Sequence, residues 1–245
     1  MHATCHTQSE CRTSPRPVHR RCTSSPQLLT IYPTDARNHR ALCYSPTARL
    51  DSCKFFRNYR SPTQVTQNVT VLEALRVTWA IPGMLPTVSI GPKGLEEPVM
   101  SAGNGFGNPI REVIKEAYQV FGAKTQILYI LNIGSGFRGV VNLDDGNNVL
   151  QGASMDCDRL ARDVTRNLAR LRIYYRLSVD RGLEGWGAFR TDFGVMKSHV
   201  DEYLGRDEPS SVIDHCIAAS VREGGVSLDK ICESLALVVP LADFS

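Results

Sequence analysis

The chain has 245 residues, of which 42% are hydrophobic and 22% charged, with a formal net charge of +3. These values fit an ordinary globular chain and exclude a collagen-like, low-complexity or strongly charged disordered polymer. No apolar run reaches the ~18 residues a membrane-spanning helix needs. No apolar core follows Met1-His2-Ala3-Thr4-Cys5 as it would in a secretory signal, so a cytoplasmic location is expected.

The average conceals a split. Residues 1–60 hold ten Lys and Arg against three acids, a net +7, while the rest holds 18 against 22, a net −4. Residues 1–50 read as an irregular, disordered, basic arm rich in Cys, Pro and Ser. Its charges are dispersed, with only Arg20-Arg21 adjacent, so no specific nucleic-acid partner is expected. Five of the eight cysteines fall by residue 53, and none forms Cys-x-x-Cys. Cys5, His6, Cys11, His19 and Cys22 could gather around a metal only as a loose cluster. Free thiols, with no metal and no cofactor, are the expectation.

Within the arm, Leu28 to Tyr32 can form one strand, and residues 53–59 beyond it another. Asn68 or Thr70 then caps a helix to about Ala80, with apolar positions Val71, Leu75 and Thr78/Trp79 and a stop at Pro82. Short strands at 86–91 and 97–101 flank a Gly91–Gly94 turn. Next comes the densest motif, Met100-Ser101-Ala102-Gly103-Asn104-Gly105-Phe106-Gly107-Asn108-Pro109, a glycine-rich turn entering a helix. Asn108 suits the N-cap and Pro109 the first helical position. Ile110, Val113, Ile114, Ala117 and Phe121 make one apolar face, and Gly122 ends the helix.

Thr125 to Ile133 is nearly continuous β-branched and apolar text, which predicts a strand buried on both faces of a parallel sheet. Following the strand at 97–101 and the helix at 109–121, it predicts a βαβ unit. Ile133-Gly134-Ser135-Gly136 closes that strand, either as a plain turn or as part of a ligand crevice at a strand carboxyl end. A polar loop spans 137–152. Ser154 caps a helix to about Leu171 with the stripe Leu160, Val164 and Leu168. A strand at 173–179 and helices at 192–204 and 210–223 follow. The segment 226–245 reads as an apolar tail, either docked or exposed.

The glycine turn resembles that of the patatin-like phospholipase family in its fungal form, through Ala102, Gly103, Gly105, Phe106, Asn108 and Pro109. Further segments resemble the family in order: Phe55 to Pro62, Val69 to Pro82, Ile127 to Gly136, Tyr174 to Gly185 and Ser198 to Leu204. The likeness covers residues 50–223. It implies a three-layer α/β fold with a mostly parallel sheet and flanking helices, carried here as a domain at 51–225. It also implies lipid acyl hydrolysis by a Ser-Asp dyad, with the serine on a Gly-x-Ser-x-Gly elbow and backbone N–H groups of a glycine loop around the oxyanion.

The chain departs from that pattern where the chemistry resides. Residues 1–82 contain no glycine, no Gly-x-Ser-x-Gly occurs anywhere, and Ser101 stands where the family places its aspartate. Ser101 has no spacing cue that brings it to His199 or His215, and reads as a turn serine. Nor do Gly103, Gly105 and Gly107 fit a phosphate loop, which needs Gly-x-Gly-x-x-Gly or a following Gly-Lys-Ser/Thr. Loss of one oxyanion donor alone slows catalysis by about 10²–10³. The expectation is therefore a truncated, inactive patatin-like protein. The alternatives are an active patatin-like acyl hydrolase, or a non-catalytic module that binds lipid, a membrane surface or a protein chain through an exposed sheet edge.

Overall fold

The computed structural model describes residues 39–62, 68–81, 85–134, 148–182 and 192–239. The expected arm up to residue 38, with its cysteine–histidine cluster and the 28–32 strand, lies outside them, as do most of the 137–152 loop and the last six residues. The described residues make a mixed α/β protein with six helices and small, mostly antiparallel sheets. They divide into two compact units. One comprises described residues 39–60 and 68–101, the other 61–62 and 102–239. The division falls between Ser101 and Ala102, inside the expected single domain of 51–225.

The first unit is an antiparallel sheet of order β2-β1-β4-β3, built from β1 (Ala41–Pro46), β2 (Lys54–Arg57), β3 (Val88–Ile90) and β4 (Glu97–Ser101). The expected strands at 53–59, 86–91 and 97–101 are found as β2, β3 and β4. In contrast, β1 falls within the expected irregular arm, held by Ala41–Tyr44 against β2 and Tyr44–Pro46 against β4. Short turns join β1 to β2 and β3 to β4, and short turns give antiparallel neighbours.

Helix α1 (Val71–Trp79) covers this sheet. Thr70 rather than Asn68 caps it, in a complete capping box. The Glu73 N–H donates to Thr70 Oγ1 at 3.1 Å, and the Thr70 N–H donates to Glu73 Oε2 at 2.7 Å. The buried face is the reverse of the expected one. Ala74, Val77 and Ala80 are buried, while Val71, Leu75 and Trp79 point outward, Trp79 being 67% exposed. Small side chains let the helix backbone lie close to the sheet, and the larger ones do not fit beneath it. Around them pack Tyr44, Phe56, Val69, Val88, Ile90, Val99 and Met100. Tyr44 stacks on Phe56 with ring centroids 4.0 Å apart. Burial, reinforced by Glu97, pushes the Tyr44 phenol up to about 12.

The second unit holds α2 (Ile110–Phe121), β5 (Gln126–Ile127), β6 (Ile130–Ile133), α3 (Asn148–Leu168), β7 (Tyr174–Leu177), α4 (Phe193–Leu204), α5 (Asp207–Val221), β8 (Val226–Ser227) and α6 (Leu228–Ser234). The expected 125–133 strand is cut in two. Its first part pairs with β8, antiparallel, and its second with β7, parallel. The parallel ladder β6–β7 is the one parallel pairing among the described strands, so the expected mostly parallel sheet is not what these residues form. The reason is connectivity: parallel neighbours need a long crossover, and α3 provides one here. The βαβ unit is thus β6–α3–β7, one step later than expected.

Helix α3 begins before Ser154 and ends at Leu168, with Val164 and Leu168 fully buried along its expected stripe. Residues 226–239 do not form a separate tail. Instead β8 joins β5, and Leu228, Ile231, Cys232 and Leu235 complete the core with Ile110, Ile114, Val164, Leu168 and Ile173.

The capping box makes stability depend on pH. The backbone and side-chain hydrogen bonds from Thr70 hold the Glu73 carboxyl below its ordinary 4.5. A carboxylate favoured in the folded state stabilises at pH above its unfolded value and loses that contribution as pH falls through its folded value. Glu73→Gln is expected to lower the urea midpoint at pH 7. The gap to the parent should close as pH is lowered through and below 4.5. A gap that is constant across that range contradicts the assignment.

Candidate functional site

The polar groups of the second unit converge at the carboxyl ends of β6 and β7, where an α/β sheet normally forms its crevice. Each strand carries one polar residue in apolar text, Asn132 in Ile130–Ile133 and Arg176 in Tyr174–Leu177, and the ladder sets them in register. The Arg176 Nη1 donates to Asn132 Oδ1 at 2.6 Å, and its Nη2 donates to Asp158 Oδ1 of α3 at 3.0 Å. The Asn132 Nδ2 donates to Asn108 Oδ1 at 2.8 Å, and the Asn108 Nδ2 donates to the Cys157 carbonyl at 3.2 Å. This chain joins the entry of α2, both parallel strands and α3. Asn108 is 3% exposed and Asn132 9%, and an interior amide at such depth must be satisfied.

Just beyond lies a tight contact. The Gly134 N–H donates to the Leu177 carbonyl at 2.8 Å and carries the ladder one residue further. A Cβ on Gly134 would stand 2.5 Å from Ser178 Oγ and 2.8 Å from Arg176 Nη2, so any other residue there requires the Ser178 and Arg176 side chains to shift. Ser178 Oγ is buried and has no hydrogen-bond partner among the described residues, while its N–H donates to Tyr203 Oη at 3.2 Å. Burial pushes the Tyr174 phenol upward, with Arg176 pulling the other way.

The glycine turn serves this scaffold. Ala102 is buried at the start of a single 3-10 turn, Ala102–Asn104, closed by the Phe106 N–H donating to the Ala102 carbonyl at 2.8 Å. Gly103 and Phe106 are half-buried and Gly105 exposed. Pro109, not Asn108, is the N-cap of α2, and no side chain caps that end. Asn108 has instead turned inward to Asn132. Ser101 belongs to the other unit, where its N–H donates to the Ala80 carbonyl at 2.9 Å. His199 lies on α4 and His215 on α5, where His215 Nδ1 meets Ser211 Oγ at 3.3 Å one turn away on an exposed face.

The residues that gather at this site, Asn132, Asp158, Arg176, Ser178 and Tyr203, were not singled out by the sequence motifs. The available signal was an amide and a guanidinium interrupting two apolar strands. Elsewhere, Tyr118, Asp229, Cys232, Glu233, Leu237 and Val239 line a depression of about 190 Å³, in which burial pushes the Cys232 thiol upward. Among the described residues no three His, Cys, Asp or Glu side chains assemble as a metal site, and no helix is long and apolar enough to cross a membrane.

Comparison with models of known protein families, with curated proteins and with solved structures gave no match.

Replacing Asn132 by alanine leaves Asn108 Oδ1 and Arg176 Nη1 without that partner in the interior. The expected loss is about 1–3 kcal/mol, the cost of stranding buried polar groups, read from chemical denaturation. A change under about 0.5 kcal/mol would mean that water replaces the amide freely.

Proposed function

We propose that the chain carries part of a patatin-like domain that no longer hydrolyses esters. In this reading β6–α3–β7 is the surviving piece of the family's parallel three-layer core, and the turn at 102–109 has kept a scaffolding role. The observation that carries it is Ser101. At the position of the family's aspartate it offers a hydroxyl that cannot serve as a general base near neutral pH. Two further points support the reading. Ser178, the hydroxyl at the strand ends, has no hydrogen-bonded base to activate it. Asn108 is committed to Asn132 and Cys157 rather than to a substrate.

A second reading, binding of lipid or of a protein strand without chemistry, is favoured by the β6–β7 ladder. Its residues are apolar for the most part, yet Ile133 is 51% exposed.

Incubation of the purified chain with a fluorophosphonate, followed by intact-mass measurement, tests the first reading. No adduct is expected. Stoichiometric labelling that is lost in Ser101→Ala or Ser178→Ala overturns it. A rise in melting temperature with oleate, without labelling, supports the binding reading, and no shift counts against it.

A further inference from the structure

Helix α1 carries its larger apolar side chains on the side away from the sheet. At 3.6 residues per turn, Val71, Leu72, Leu75 and Trp79 fall within about 100° of arc. That arc lies opposite Ala74 and Val77, which are buried against the sheet. Leu72 and Trp79 are 68% and 67% exposed, and Val71 and Leu75 are about half exposed. Side chains three and four residues apart are neighbours on a helix surface, so the four form one ridge. It leaves roughly 400–500 Å² open, on the scale of the largest apolar patch of a typical monomer, which often marks a function.

Area and charge select the occupant. A stable protein–protein complex buries about 800 Å² per partner, nearly twice what this ridge offers. A helix lying on a sheet is also convex, so a protein partner would have to supply a matching groove, whereas a lipid surface needs none. The charge around the ridge is positive. Arg76, exposed, flanks it, while Glu73, the other charged residue of α1, is half-buried and bound by Thr70. The described residues of this unit hold seven Lys and Arg against four Asp and Glu. Two more of those acids are engaged within the unit. Glu96 accepts from the Gly94 N–H at 2.8 Å, and Glu97 pairs with Lys54 at 3.0 Å. Arg49, Arg60, Arg76 and Lys93 are all exposed.

We infer that α1 seats the first unit on an anionic lipid surface, with the helix axis lying in the plane of that surface. The ridge enters the boundary between headgroups and acyl chains, as the apolar face of an interfacial helix does. Trp79 combines an apolar body with a polar N–H, which suits that boundary. Arg76 lies one turn from both Leu72 and Trp79, so its stem can follow the ridge while its guanidinium meets lipid phosphates. Ala74, Val77 and Ala80 stay in the core, so the unit docks without refolding. The inference depends on neither ester chemistry nor the β6–β7 ladder.

Trp79 reports on this once Trp186, the chain's second tryptophan, is replaced by Phe. The full chain carrying Trp186→Phe is titrated with vesicles of phosphatidylcholine, alone or with about one third phosphatidylglycerol. Trp79 emission should move to shorter wavelength on the anionic vesicles, with binding to neutral ones about five-fold weaker or less. Co-sedimentation of the parent chain with the same vesicles makes the same comparison without the substitution. Arg76→Gln should weaken anionic binding by about five-fold, the contribution of one basic residue near such a surface. Leu72→Ser should weaken it by about ten-fold, and the urea midpoint should hold because Leu72 lies outside the core. No emission shift and no co-sedimentation with anionic vesicles overturns the proposal. So does binding that both variants keep in full, which places the lipid elsewhere. A dimer in sedimentation velocity that Leu72→Ser abolishes, formed by a chain that binds no vesicles, overturns it in favour of a second copy.

Discussion

Asn132 is held from both sides, its Nδ2 donating to Asn108 Oδ1 and its Oδ1 accepting from Arg176 Nη1. It sits where the parallel ladder, the entry to α2 and the third helix meet, so its position decides what the surrounding backbone can do. In a low-dielectric interior each of these bonds is stronger than in water, and each group left unsatisfied is costly. That asymmetry makes the network a specifier of geometry. Arg176 must reach Asp158 on α3 as well as Asn132 on β6, and this fixes how the crossover helix lies along its own two strands. The close approach of Gly134 to Ser178 and Arg176 follows from the same convergence.

The network also changes what the glycine turn means. In the sequence, a turn of this kind before an amphipathic helix reads as a place for chemistry, with Asn108 as helix cap. In the fold, Asn108 leaves the helix end without a side-chain cap and links one strand, β6, to one helix, α3, instead. A side chain used that way is unavailable to a substrate. The division of the chain between Ser101 and Ala102 separates the serine from the turn in packing terms, and each side has its own core.

Local features were the legible ones. The start of α1 at Asn68 or Thr70, the turn between β3 and β4, the end of α2 at Gly122 and the Val164–Leu168 stripe all depend on neighbours a few residues apart. What depended on distant partners was not legible. Strand β1 has little signal of its own and exists because β2 and β4 flank it. The 125–133 run is uniformly apolar, and nothing within it states that Ile127 faces Val226 while Ile130 faces Tyr174. The inversion of α1 has a similar cause. Periodicity located two faces of the helix, but the space available under it selected Ala74 and Val77 over Leu75 and Trp79. The polar site was hidden because a single Asn or Arg in an apolar strand has no local partner and declares its role only in register.

The claim on which this account rests is that Asn108 and Arg176 act as one unit through Asn132, although neither is shown bonded to the other. A double-mutant cycle of Asn108→Ala and Arg176→Met, followed by urea unfolding, tests that directly. The double variant should lose less than the two single losses combined, leaving a coupling of about 0.5–3 kcal/mol. Losses that add to within about 0.3 kcal/mol would show two independent contacts and contradict the account.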